Sequence, residues 1–471
     1  MMHGKFGDTI RIAAVNMYPV PRIENGGEMH NIAQSRMPRG TQLRVLTITA
    51  ALLAAALFSA TAAQAWTYKV IHSFCGGKKC SDGEGPEAAL AMDASGNLYG
   101  TTYFPVGAVF KLDISGSKPR LKVLYSFCRK QSCADGEQPR SSVIFDNAGN
   151  LYGTTLYGGK YGNGTIYRLS PPAGDKSKWS LQVLHDFCSA CGDGNFAFSG
   201  LTYSGAQAGA RYDGTSPLYG TTEIGGAYNG GIAYQLRPSG TKSRWRETIL
   251  YSFCAQGNCT DGLNPYKGNL LIDNQGRLLG TTQYGGANDG GTVFQLTPTG
   301  KNWNYTVLYS FCAQQNCADG LYPIGGIYED KQGNLFGTTA GDVGYLGGNV
   351  FELIPQGQQY ELNVLHTFCL PHFCDDGSRP WATVIADPNG NLYSTTQYGG
   401  GNYEDYCDCG GGTVFSISDS TETILHAFCA KNECKDGDYP VAPLIMDSAG
   451  NLFGTTDGGG NGGGVVFELS P

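Results

Sequence analysis

The sequence has few of the features that most quickly betray a function. No cluster of Lys and Arg interrupts its acidic balance, with 32 basic against 40 acidic side chains and a net charge of −8. Affinity for nucleic acid rests largely on neutralising phosphates, so nucleic acid is not an expected partner. Long amphipathic helical patterns are missing, while glycine supplies 70 of 471 residues, so the chain reads as a turn-rich β protein. There is no nucleophile elbow, phosphate loop or HExxH zinc motif. Haem attachment would need His after C-x-x-C, whereas Gly192 follows Cys191.

Long apolar runs are equally scarce. One, VLTITAALLAAALFSA (45 to 60), is too short to span a bilayer comfortably. The Arg-bearing MPRGTQLR (37 to 44) precedes it, and Ala63-Gln64-Ala65, a small-x-small cleavage pattern, follows. Residues 1–65 therefore read as an N-terminal extension plus signal peptide, with Met37 a candidate initiator and a mature chain from Trp66. The expected location is secreted, extracellular or periplasmic. Trp66 in place of Cys argues against a lipoprotein, and neither a transmembrane segment nor a hydrophobic C-terminal tail is expected in residues 66–471. Without residues 1–65, which carry six basic and three acidic side chains, the net charge becomes 26 − 37 = −11.

Repetition is what the chain does have. VL(Y/H)xFC occurs seven times, at 70–75, 123–128, 183–188, 249–254, 307–312, 364–369 and 424–429. Seven copies share 406 residues, about 58 each, without a linker, so residues 66–471 form one domain. GNLYGTT (96 to 102) also returns in close variants. Each repeat offers four short apolar segments; in the second these are SSVIFD (141 to 146), NLYGTTLY (150 to 157), GTIYRL (164 to 169) and LQVLHDF (181 to 187). Asp146 to Gly149 joins the first two as a type I turn leading into a hairpin, with the Asp a turn former rather than a ligand. Segments such as GTVFQL (291 to 296) are apolar on both faces, as sheets sandwiched between neighbours require.

The expected fold is thus all-β, a seven-bladed β-propeller with four antiparallel strands per blade. The mature chain opens on a fourth-strand sequence, YKVIHSF (68 to 74), and ends on a third-strand one, VVFELS (465 to 470). The N-terminal strand is therefore expected to close the last blade. The VLYSFC, DG-x-x-P, D-x-x-GNLYGTT, YGG and GTVFxL series resembles the GloVer-type tandem repeat of exported bacterial proteins, a family with several kinds of surface anchor. The resemblance spans residues 67–471 and implies no catalytic residue.

Fourteen of the 16 cysteines fall into one pair per repeat. The pairs are Cys75/Cys80, Cys128/Cys133, Cys188/Cys191, Cys254/Cys259, Cys312/Cys317, Cys369/Cys374 and Cys429/Cys434. Local disulfides are the economical connectivity in an exported chain, each contributing roughly 2 kcal/mol by loop closure. Cys407 and Cys409 lie in GGGNYEDYCDCGGG (399 to 412), an insertion unique to the sixth repeat. They are expected to form a structural clip, with a redox-labile bridge or a metal site as alternatives.

Propeller topology gathers the disulfide loops and the YGG loops on one face, where function is expected. The residue after each loop proline should stand near the channel mouth. This selects Glu87, Arg140, Tyr266 and Trp381 as candidate ligand-binding positions, with Ile324 and Val441 in the same slot. The YGG loops add Phe104, Tyr157, Tyr284 and Tyr398. Mixed charge with aromatic faces suits a carbohydrate or an extracellular protein or peptide ligand. The leading expectation is a monomeric, non-catalytic binding or surface-interaction protein without a cofactor. Calcium at the Asp of each Asp-Gly pair is an alternative to a plain turn. A polysaccharide-active lyase or hydrolase is the alternative function, using Glu87 and Arg140 with Glu223 or Asp457.

Overall fold

The repeated heptapeptide explains the architecture almost residue by residue. The computed structural model describes residues 66–471 except 175–176, 241–243, 342–346, 358, 370–373 and 402–409. In it, LYGTT is the second strand of an antiparallel blade. The first blade runs Ala91–Met92, Leu98–Thr102, Ala108–Asp113 and Arg120–Ser126, each strand pairing with the next. Six blades have four strands in this order, and one has three, giving the seven-bladed β-propeller.

The turn that opens the heptapeptide, its glycines and its two threonines each have a physical role. Asp93 begins the tight turn: its Oδ1 accepts the backbone N–H of Ser95 and of Asn97, while Gly96, at φ +79°, donates to the Asp93 carbonyl. This is the turn-forming role expected for the Asp. Gly100 lies beneath the Phe110 ring of the third strand, where a Cβ would approach it to 2.6 Å. The first Thr reaches the following blade: Thr101 Oγ1 donates to the Ser141 carbonyl at 3.1 Å. Equivalent bonds run from Thr154 to Ala197, Thr281 to Gly325, Thr338 to Ala382, Thr395 to Ala442 and Thr455 to Ala88. The second Thr packs against the glycine of Asp-Gly; at Gly262, φ +98°, a Cβ would stand 2.5 Å from Thr282 Oγ1. GTT therefore ties neighbouring blades together and seats each disulfide loop.

Apolar packing follows the same ring. Seven hydrophobic clusters occupy seven seams between blades. In the fourth blade, Val293 joins the cluster shared with the fifth, whereas Phe294 and Leu296 join that shared with the third. Both faces of one strand are thus buried, as the doubly apolar pattern predicts. Thr67–Ser73 pairs antiparallel with Val465–Ser470, with Val70 opposite Phe467, so the two ends of residues 66–471 complete the seventh blade. Among the described residues no helix is long and apolar enough to cross a membrane.

All seven expected bridges are present, from Cys75–Cys80 and Cys128–Cys133 through Cys188–Cys191, Cys254–Cys259, Cys312–Cys317 and Cys369–Cys374 to Cys429–Cys434. Cys407 and Cys409 lie outside the described residues. The Asp of each Asp-Gly organises its loop. Asp135 accepts from the Tyr125 hydroxyl at 2.7 Å and from the N–H of Arg129 and Lys130. Tyr251 and Tyr309 bond Asp261 and Asp319 in the same way. His72, His185, His366 and His426 take the tyrosine's place beside Asp82, Asp193, Asp376 and Asp436. A β-bulge in each outer strand, between Val123 and Tyr125 in the first blade, turns that side chain toward its Asp.

The third blade departs from the pattern. Its innermost strand shrinks to a single bridge, Thr202 with Tyr219, because residues 203–217 replace the short Asp-x-x-Gly turn. This insertion pairs Tyr212 with Asp146 of the second blade and sends Gln207 Nε2 to the Glu329 carbonyl of the fifth. It therefore reaches across the channel on the face opposite the disulfides.

Candidate functional site

The segment after each loop proline runs beside the axis before entering its inner strand. Neighbouring segments approach backbone to backbone: a Cβ on Gly268 would lie 2.8 Å from the Gly325 carbonyl oxygen. Small residues are required there, and the few large ones must project into what remains of the channel. The throat, about 40 Å³, is lined from all seven blades, among others by Glu87, Arg140, Phe198, Lys267, Gly325, Trp381 and Val441. That volume suits a few waters or one projecting ligand group rather than a whole ligand.

Its charges are interlocked. Glu87 Oε2 accepts from Arg140 at 2.8 Å and from Lys267 at 3.3 Å, joining the first, second and fourth blades through one carboxylate. The Arg140 guanidinium lies 3.7 Å from the Tyr103 ring centroid, and the Lys267 ammonium 5.2 Å from that of Trp381. Tyr266 packs on Phe198 at 4.5 Å. Glu87, Arg140 and Trp381 thus meet at the throat, with Tyr266 one layer out; Val441 is a buried apolar part of the throat wall, and Ile324 is simply buried.

A second ring comes from the residue after GTT. Asp457 is pushed up to about 6 by burial and then by the Glu87 charge, with Lys267, Arg140 and the Tyr103 hydroxyl pulling the other way. Burial also raises Glu223. Asp438 is likewise held near 6, mainly by burial, with the Asp457 charge adding to it. Four buried polar atoms in these two rings, Arg140 Nε, Trp381 Nε1, Asp457 Oδ1 and Gln397 Oε1, have no hydrogen-bond partner among the described residues. Unmatched buried donors and acceptors are costly, so a polar ligand that met those at this mouth would be rewarded.

The YGG aromatics form an outer tier. Tyr157, Tyr284 and Tyr398 stand edge-on to Phe196, Tyr322 and Tyr439 of the next blade, with centroids 5.3, 5.2 and 5.2 Å apart. Phe104 is the most open of the four, 48% exposed. These partners sit immediately before the loop proline or its equivalent and hold φ near +60°, a region bulky side chains rarely enter. The cause is a backbone clip: Tyr322 N–H donates to Gly290 of the fourth blade while its carbonyl accepts from Ala340 of the fifth. Lys267, Tyr103 and Phe198 escaped the sequence reading. Variation in the slot after GTT, which reads Tyr103, Leu156, Glu223, Gln283, Ala340, Gln397 and Asp457 beside near-invariant threonines, was the signal for part of it.

The family model for the Gloeobacter/Verrucomicrobia repeat matches residues 54–216 and 195–372. No curated protein matches the sequence. Among solved structures, a candidate oxidoreductase (glucose dehydrogenase) of Thermus thermophilus is 14% identical, covering 86% of this chain and 99% of its own, with TM-score 0.37. A candidate 6-phosphogluconolactonase of Bacteroides uniformis is 11% identical over 73% and 84%, with TM-score 0.40. One from Bacteroides fragilis is 12% identical over 81% and 98%, with TM-score 0.44.

Proposed function

The chain belongs to the Gloeobacter/Verrucomicrobia repeat family, and from that premise we propose an exported, non-catalytic binding protein that takes a carbohydrate at the throat on its disulfide face. One observation carries this reading: cations from two other blades converge on Glu87, and Trp381 Nε1 and Asp457 Oδ1 are buried beside them without partners among the described residues. Sugar hydroxyls donate and accept at once, and so can match both atoms. Aromatic faces at Tyr103, Phe198 and Trp381 supply apolar area for the sugar ring, while one substituent enters the throat. Seven disulfides agree with an oxidising compartment, and cleavage before Trp66 would deliver the chain there.

A glycan array followed by calorimetry, on the chain from Trp66 and on Trp381→Phe, tests the proposal. Phe keeps an aromatic face and removes the N–H, so affinity should fall about tenfold with the loss of one buried hydrogen bond. Equal binding by both proteins removes the throat from the account.

Asp457 favours a second reading. A carboxyl held near 6 is suited to proton transfer, and Arg140 and Lys267 could neutralise a uronate, so the protein would be a polysaccharide-active lyase or hydrolase. Product release from acidic polysaccharides by the parent and its loss in Asp457→Asn would establish it; undegraded substrate throughout rejects it.

A further inference from the structure

Away from the throat, the seams between outer strands carry a second pattern. Four residues before each Tyr or His of VL(Y/H)xFC stands a side chain that faces the Tyr–Asp or His–Asp pair of the preceding blade. Tyr68 occupies this slot over His426, stacked at 3.7 Å, and Tyr305 stacks on Tyr251 at 3.9 Å. Leu121, Leu181 and Leu362 fill it and pack into the clusters that hold Ile71 and Phe74, Tyr125, and Tyr309 respectively. The remaining two are glutamates, Glu247 over His185 and Glu422 over His366. Neither lies over a tyrosine. Tyr–Asp would leave such a glutamate beside a second carboxylate without a cation, whereas imidazole has a lone pair that a metal can use.

At the seam between the second and third blades the three side chains converge. His185 Nε2 lies 2.8 Å from Asp193 Oδ2, and His185, Asp193 and Glu247 each bring one ligand atom to within 4.8 Å of the other two. Tetrahedral ligands about 2.0 Å from a metal stand roughly 3.3 Å apart, so small side-chain adjustments suffice. Glu247 Oε1 is buried without a hydrogen-bond partner among the described residues. His185 and Asp193 keep 20% and 13% of their side-chain surface exposed, which leaves a route for an ion. The anchors are stiff: an outer strand, a disulfide loop and the next blade's outer strand. Among the described residues the other cluster with ligand spacing, Cys75, Cys80 and Glu84, has its sulfurs in a disulfide.

We propose that His185, Asp193 and Glu247 bind a divalent transition cation of the zinc class, clamping the second blade to the third. One imidazole and two carboxylates suit such an ion and balance its charge, while calcium would demand six or more oxygens. With three protein ligands, the fourth position remains for water.

The repeat supplies its own controls. Glu247→Leu and His185→Tyr install residues used in the same slots elsewhere in the ring, so the fold is expected to persist. The oxidised chain from Trp66 is stripped with chelator and titrated with Zn²⁺ by calorimetry, and with Co²⁺ in the visible range. The parent should bind one equivalent more than either variant, and Zn²⁺ should raise its Tm but not theirs. Parent and variants binding the same number of equivalents, including none, overturns the site. Because these residues lie away from the throat, the result is independent of the carbohydrate reading.

Discussion

Replacing Glu87 by Gln keeps the shape of the throat and removes the one carboxylate shared by Arg140 and Lys267. Breaking a buried ion pair costs about 3–5 kcal/mol, chiefly because the abandoned charge stays buried. Arg140 and Lys267 retain 20% and 13% of their side-chain surface exposed, so water recovers part of that loss. We expect about 2 kcal/mol. Unfolding entropy of about 2.1 cal/mol/K per residue over roughly 400 residues converts this into a Tm lower by about 2–3 °C. The assay is urea denaturation with disulfides intact, where the midpoint should fall at constant m-value. In the Glu87→Gln background, Lys267→Met should recover part of the loss, because it removes one of two cations left facing each other. An unchanged midpoint, or strictly additive effects in the double variant, would refute the argument that the three charges form one unit.

Three further outcomes follow from named contacts. Burial, including the stacked Tyr68 ring, holds the His426 imidazole below the ordinary histidine range, with Asp436 opposing and Lys431 reinforcing the shift. The unfolded chain then binds a proton that the native one refuses, so stability falls as pH drops through that range; His426→Tyr should flatten the parent's urea midpoint between pH 7 and 5. Asp457 has the opposite sign: its raised carboxyl makes the native state bind more protons between the ordinary carboxylate value and about 6. Asp457→Asn should therefore gain about 2 kcal/mol on the parent at pH 8 relative to pH 4, measured by the same midpoints. Gly262→Ala places a Cβ 2.5 Å from Thr282 Oγ1 at φ +98° and should destabilise by about 2–3 kcal/mol, with thermal unfolding as the check.

The fold was legible because a ring of equivalent blades must repeat its local chemistry. Asp-x-x-Gly announced a turn, doubly apolar strands announced burial on both faces, and the displaced phase of residues 68–74 announced closure with 465–470. The purpose of GTT was hidden, since its first threonine bonds a carbonyl some forty residues away or, at Thr455, back at Ala88. The cover on the opposite face was hidden too, because residues 203–217 gain meaning only from Asp146 and Glu329. At the site, the proline rule found Glu87, Arg140 and Trp381 but passed over Lys267, which breaks the rule of small residues behind it. Phe104, Tyr157, Tyr284 and Tyr398 were drawn by their place in the YGG loops of that face together with their aromatic rings. Sequence cannot distinguish a ring aimed at solvent from one standing edge-on to a neighbour.

The most direct measurement is a crystal structure of the chain from Trp66 bound to the tightest glycan from the array. The sugar is expected on the disulfide face, with one substituent in the throat within hydrogen-bond distance of Trp381 Nε1 or Asp457 Oδ1. A sugar bound on the face covered by residues 203–217, or on the outer strands with the throat untouched, would contradict that expectation.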